Sequence, residues 1–272
     1  LLPEHPVVAD FDVFNGDADG ICALIQLRLA DPREASLVTG VKRDISLLKQ
    51  VDAAAGDRIT VLDVSLDKNR DALLRVLDAG ATVHYVDHHF AGDIPESPQL
   101  TAHINPASDV CTSLLVNGEL KNQFIEWALV GAFGDNLSVS AQTLARQTDL
   151  DDAQLKQLEE LGIAMNYNGY GSSLDDLHFT PADLFHAASQ HASPFDFLAH
   201  APETSGTLIE GYKADMSSAE STPLHASSNE DAAFLILPNE PWARRVSGVF
   251  GNALANASPD RAHAVLTEKA GG

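Results

Sequence analysis

Cysteine is almost missing: Cys22 and Cys111 are the only two in 272 residues. Both stand among apolar neighbours in helix-like segments, which excludes a disulfide framework and a thiolate metal site. Basic residues are scarce too. Seventeen Lys and Arg face 39 Asp and Glu, a net charge of −22, and a field of that sign repels long polyanions unless cations gather at the contact. With no basic run in the sequence, a long nucleic acid is not an expected partner. No apolar run approaches the roughly 20 residues that span a bilayer. Leu1-Leu2-Pro3-Glu4-His5-Pro6 has neither a cationic start nor a secretory apolar stretch. Neither membrane insertion nor export is expected, and a reduced, cytoplasmic setting suits the chain. Repeats at solenoid periods are absent. What is present, 44% apolar and 21% charged side chains, describes a globular chain long enough for one large domain or two modest ones.

Residues 7–14 (VVADFDVF) read as a strand, followed by the tight loop Asn15-Gly16-Asp17-Ala18-Asp19-Gly20 and a helix beginning ICALIQL. Further strands are predicted at 36–41, 58–64 (RITVLDV) and 81–86 (ATVHYV), with helices at 44–55 and 68–79 between them. This alternation predicts an α/β fold, a parallel five-stranded sheet with flanking helices, whose fifth strand is a short piece at 101–104. Helices are expected at 108–116 and 123–133, and past Asn136 the texture becomes helical, at 141–148, 151–161 and 181–201 with a break at Pro194. Residues 216–231 read as a polar linker. A strand at 232–237, a helix at 242–257 and a strand at 262–266 then open a smaller α/β unit that reads as truncated. The expected division is a first domain over 1–140, a helical connector and linker over 141–230, and the start of a C-terminal domain over 231–272.

Ligands of an open parallel sheet bind at the carboxyl ends of its strands, where loops and helix N-termini converge. Three predicted strands deliver acids there: Asp17 and Asp19 after the first, Asp63 closing RITVLDV, and Asp87-His88-His89 closing ATVHYV. Asp135 ends the apolar helix WALVGAFG, where the helix dipole disfavours a negative charge by roughly 0.3–1 kcal/mol, so a positive group is expected nearby. Two carboxylates about 4 Å apart repel by about 4 kcal/mol at an effective dielectric of about 20, and converging acids therefore need protons or metal ions. Aspartates with imidazole and no thiolate suit Mn²⁺ or Mg²⁺ better than a closed zinc site. Two such ions would fit the charge, and two ions together clamp the attacking and leaving oxygens of a phosphoryl displacement. Each residue also has an ordinary use when taken alone. Asp17 and Asp19 can be a turn and an N-cap, Asp63 a strand-end acceptor and Asp135 a loop residue; only their joint placement points to chemistry. Within a strand His88 and His89 would point to opposite faces, so both reach one site only if the strand ends before them. The other histidines, His84, His186, His191 and His225 among them, show no ligand spacing.

The ordered motifs Asn15-Gly-Asp17-Ala-Asp19-Gly, Asp63 in VLDVS, Asp87-His88-His89 and Asp135 in GAFGDN resemble the DHH phosphoesterase family over roughly the first half of the chain. Residues 246–255 (VSGVFGNALA) are similar to the start of the DHH-associated C-terminal domain, which binds substrate in that family and whose glycine-rich signature would fall beyond residue 272. The resemblance implies two Mn²⁺ ions, with Mg²⁺ as the alternative: Asp17 on one, Asp19 on the other, Asp63 bridging, and His88 and Asp135 completing the second ion's shell. It implies Asp87 and His89 as the catalytic pair, Asp87 fixing an imidazole's tautomer and His89 facing the scissile phosphate or completing a metal shell. Many members carry a histidine four residues before the first motif aspartate; Val13 stands there in this chain, which makes the first metal site poorer in protein ligands. Asn15 takes the place where the exonuclease branch has an acid and is an expected substrate contact. Arg245, with Arg244 beside it, is a second, read equally well as part of a solvated helix face. Residues 161–171 (LGIAMNYNGYG) either line the cleft or form a helix-to-loop transition.

Among the family's substrates, the shortage of basic residues favours a linear dinucleotide such as pGpG, or a very short oligonucleotide, over long single strands. The expected activity is that of a two-metal, nanoRNase-like phosphodiesterase releasing nucleoside 5′-monophosphates. The alternatives are a single-strand-specific exonuclease of the same family and a nucleotide-binding sensor without turnover. A homodimer is left open.

Overall fold

The computed structural model describes residues 8–269. Strands β1 (Asp10–Phe14), β2 (Ser36–Val38), β3 (Arg58–Leu62), β4 (Thr82–Asp87) and β5 (Leu100–Ile104) form a parallel sheet in the order β2-β1-β3-β4-β5. This is the predicted five-stranded parallel sheet; Val7, the predicted start of its first strand, lies outside the described residues. Side chains alternate between its faces. Val13, Val61 and Tyr85 share one register row and pack against α2 (Leu66–Asp78) and the 3₁₀ turn Leu47–Gln50. Phe14, Leu62 and Val86 share the next row and face α1 (Ala18–Ala30), α3 (Thr112–Glu119) and α4 (Ile125–Gly134). One residue further on, Asn15, Asp63 and Asp87 therefore stand side by side at the carboxyl edge. Backbone pairing carries on through that row: Asn15 N–H donates to the Leu62 carbonyl at 3.2 Å and Asp63 N–H to that of Val86 at 3.1 Å.

The helices α5 (Ser138–Ala145), α6 (Asp152–Asn168), α7 (Pro181–Ala188), α8 (Pro194–His200) and α9 (Pro202–Glu220) follow, then β6 (Ala232–Leu237), α10 (Pro241–Ala257) and β7 (Ala262–Thr267), whose two strands pair in parallel. Starts are well marked: Asp151 and Gln154 form a capping box on α6, and Thr180 and Ser193 cap α7 and α8 ahead of a proline. One apolar core runs without a break from Phe14 to Leu208. It takes in buried residues on both sides of residue 140, from Phe133 to Ala141 and Leu158. The close approach of α4 to α1 and α6 shows why: a Cβ on Gly134 would meet Ala18 Cβ at 2.4 Å and the Gly162 carbonyl at 2.8 Å. The unit β6-α10-β7 keeps a smaller core of Leu235, Leu237, Val246 and Phe250 against Tyr167 and Ala219.

Several predicted elements differ, among them the helix expected at 151–161, which runs on to Asn168. Residues 44–55 hold only the 3₁₀ turn Leu47–Gln50, because the Asn69 amide on α2 takes the backbone partners a helix would need, accepting from Leu48 N–H at 3.3 Å and donating to the Ile45 carbonyl at 2.7 Å. The linker predicted at 216–231 begins only after Glu220: α9 continues because Met216 and Ala219 pack on the C-terminal unit, while the Ser218 hydroxyl donates back to the Ala214 carbonyl at 2.9 Å. The second strand ends at Val38 rather than 41. No helix among the described residues is long and apolar enough to cross a membrane.

Candidate metal centre

β4 ends at Asp87, so His88 and His89 both leave the sheet and their rings lie 4.5 Å apart on the same side. Asp63 turns out of β3 with φ of 56°, a left-handed conformation that costs roughly 1–2 kcal/mol for a residue other than glycine and that aspartate tolerates better than most. α4 ends at Asp135, and α1 starts between Asp17 and Asp19. The outcome is convergence on one atom. His88 Nε2 lies 3.3 Å from Asp63 Oδ1, 3.8 Å from Asp135 Oδ2 and 3.9 Å from Asp19 Oδ2. A cavity of about 460 Å³ opens above it, lined by Asn15, Asp17, Lys42, Asp63, His88, His89 and Asp135.

The charges in this cluster are unequal in kind. Burial, reinforced by Asp17, Asp19, Asp87 and Asp135, pushes the Asp63 carboxyl well above the usual carboxylate range. Burial and the neighbouring Asp19 and Asp17 raise Asp135 to about 6. Asp17 behaves oppositely: burial works to raise it, but the charge and hydrogen bond of Lys42, with the Gly20 N–H, outweigh burial and hold it below its ordinary value. Asp19 is fixed by α3, accepting from Thr112 N–H and Ser113 N–H at 2.7 Å each. Those donors belong to the positive end of a helix 93 residues away in sequence. Asp87 is fully buried and its Oδ1 holds His89 Nδ1 at 2.7 Å; that hydrogen bond raises the pKa of His89.

The donor set fits a divalent cation. The surplus of carboxylate around one imidazole nitrogen is what a hard or borderline ion would relieve, and two groupings with ligand atoms close enough to share an ion, Asp63-His88-His89 and Asp19-His88-Asp135, both contain His88. Two buried oxygens at the strand ends, Asn15 Oδ1 and Asp87 Oδ2, have no hydrogen-bond partner among the described residues. Asp17 belongs to neither grouping, and Val13 lies fully buried in the apolar core under the sheet. The structure thus brings together Asp19, Asp63, His88 and Asp135, pairs Asp87 with His89, and sets Asn15 and Asp17, both buried, in the lining of the same cavity. Arg245 is the exception and a correction. It is 7% exposed, and its guanidinium is held by Asp215 at 2.7 Å and by the Asp176 carbonyl, so it anchors α10 and presents no charge to a substrate. Lys42 is the residue that sequence reasoning misses. Its cue is the cationic pair Lys42-Arg43 just past β2, at the same sheet edge that marks the aspartates. Asn166 and Tyr170, both within 161–171, touch Lys42, which puts that segment at the cleft.

A five-stranded parallel sheet flanked by helices is consistent with the DHH fold. A DHH domain described as a member of the s1p family of ribosomal proteins superposes with a TM-score of 0.61 at 12% identity, covering 96% of this chain and 72% of that one. The exonuclease RecJ bound to manganese gives 0.60 at 13%, covering 95% and 75%. RecJ from Thermus thermophilus in complex with Mn²⁺ gives 0.58 at 15%, covering 95% of this chain and 43% of that one. At such identities the likeness is one of fold. No protein-family model and no curated protein sequence matches the chain.

Proposed function

We propose that this chain is a DHH-type, metal-dependent phosphodiesterase that cleaves linear dinucleotides or very short oligonucleotides to nucleoside 5′-monophosphates. The observation that carries the reading is the meeting of Asp19, Asp63 and Asp135 on His88 Nε2 at the floor of an open cavity. These four residues would hold the divalent ion, Mn²⁺ or Mg²⁺, which when bound polarises a phosphoryl oxygen and lowers the pKa of water. The remaining steps fall to the chain's own groups. Asp87 Oδ1 takes the Nδ1 proton of His89 in a hydrogen bond and favours the cationic imidazole, so Nε2–H is available to donate to a phosphate oxygen as negative charge develops there. Asn15 adds an amide to the cavity lining.

The charge and the cavities support a short substrate. A second cavity of about 660 Å³ is lined by Arg43, Ser172, Asn239, Arg244 and Lys269, with Asp175, Asp176 and Glu268 among them. Arg43 is the neighbour of Lys42, which lines the first cavity. Two hollows of mixed charge suit a substrate with few phosphates better than a strand needing a continuous basic track. The competing reading, a single-strand exonuclease, draws on the shared fold with manganese-bound RecJ. The test is Mn²⁺-dependent release of monophosphate from pGpG against a 20-mer and pyrophosphate. Faster turnover of the dinucleotide is expected; equal or faster cleavage of the 20-mer discards the short-substrate reading, and tight binding without any product would leave a sensor.

A further inference from the structure

The geometry points to a centre that takes a single divalent ion, with the Lys42 ammonium as a fixed cation where a second ion would bind Asp17. This inference rests on the metal centre proposed above and concerns its composition. Lys42 Nζ lies 2.6 Å from Asp17 Oδ2 and 2.9 Å from Asn166 Oδ1, and stands 5.6 Å from the centre of the Tyr170 ring. Carboxylate, amide oxygen and aromatic face together form a cation site, and the ammonium fills it.

Lys42 is also held by its backbone. Its N–H donates to the Gly169 carbonyl at 2.9 Å, and its carbonyl accepts from the Asn15 amide at 3.4 Å. The loop carrying it is pressed against the Asn15–Asp17 turn: a Cβ on Gly16 would lie 1.9 Å from the Gly40 carbonyl oxygen. Such contact fixes the Lys42 backbone beside Asp17, and the ammonium itself is held by Asp17 and Asn166. A second ion at Asp17 would displace Lys42 or sit against it at close range, with like charges opposed. Nothing on β1 offsets that, because the side chain at position 13 is the buried valine. Near His88 no lysine or arginine lies within ion-pair distance of Asp19, Asp63 or Asp135 among the described residues, so that no side-chain cation occupies the place of an ion there.

The experiment is Mn²⁺ uptake by metal-free protein without substrate, read as ions per chain by calorimetry and checked by electron paramagnetic resonance. Wild type and Lys42→Arg should each take up one ion, with the spectrum of isolated Mn²⁺. Lys42→Asp, which exchanges the ammonium for a ligand, should take up two. Two ions per wild-type chain, or an exchange-coupled Mn²⁺ pair in its spectrum, would overturn the inference while leaving the hydrolase reading intact. One ion in all three proteins would also overturn it, since Lys42 would then exclude nothing. The wild-type spectrum decides even if Lys42→Asp fails to fold. No uptake by any of the three would remove the metal centre itself.

Discussion

Around His88, three carboxylates face one imidazole nitrogen at 3.3 to 3.9 Å. Around Arg245, by contrast, a guanidinium meets Asp215 at 2.7 Å, the same carboxylate accepts from the Tyr167 hydroxyl at 2.6 Å, and the Asp176 carbonyl completes the set. Both clusters contain buried acids. The second sets its one guanidinium against its one carboxylate, so it locks α10 onto α6 and α9, with only His178 Nε2, 3.8 Å from Asp215 Oδ2, lacking a hydrogen-bond partner among the described residues. The first has more negative charge than the protein neutralises, and its acids respond by retaining protons, Asp63 well above its usual range and Asp135 to about 6. Residual charge, rather than burial or residue type, separates a site waiting for a cation from a structural ion pair.

Breaking each cluster in turn should give opposite results. Asp63→Asn, which removes the acid nearest His88, should cut Mn²⁺-dependent turnover by about a thousandfold or more, with melting temperature of the metal-free protein unchanged or raised because a repulsive charge is gone. A loss of fold in that variant would mean that the acid cluster is structural. Arg245→Met should do the reverse: it leaves Asp215 buried without its cation, costs about 3–5 kcal/mol, lowers the melting temperature by roughly 10 °C, and leaves Mn²⁺ uptake unaltered. Replacing both partners, Arg245→Met with Asp215→Leu, should recover most of that loss. A double variant as unstable as the single one would contradict the balanced-pair account.

A smaller effect tests the support of the site. Asp87→Asn removes the anion that orients His89 while leaving the four residues around His88 Nε2 in place, and should weaken Mn²⁺ affinity or turnover about 10- to 100-fold. A shift of the pH–rate profile to lower pH, following the loss of the raised His89 pKa, separates this role from simple packing. The smallest effect concerns pH. The folded-state pKa of Asp135, about 6 against an ordinary 3.8, means that the native protein keeps a proton the unfolded chain releases. That stability is fully present below about pH 4 and is lost as pH rises through about 6. The raised Asp63 and His89 act in the same direction. Metal-free protein should therefore melt a few degrees lower at pH 7.5 than at pH 5, and Mn²⁺ should remove most of the difference. A melting temperature that rises over this interval without metal would contradict the charge surplus.

The strands and the acids at their ends are legible in the sequence because β-branched runs and alternation set the sheet, and its register places Asn15, Asp63 and Asp87 in one row. Asp135 is legible for a different reason: an acid at a helix C-terminus is out of place unless something positive lies nearby. What cannot be read depends on distant partners. Lys42 is half of a cationic pair after a short strand, and its role shows only when α6 brings Asn166 to it. Residues 44–55 have helical periodicity, and only the Asn69 side chain shows why they do not form a helix. Arg245 stands on an amphipathic helix, and which face of α10 turns inward is decided by Asp215 and Tyr167 on two other helices.

The most direct measurement is anomalous diffraction at the manganese edge from crystals soaked in millimolar Mn²⁺. The account predicts a peak among Asp19, Asp63, His88 and Asp135. Well-ordered density for these four side chains with no anomalous peak between them would contradict it.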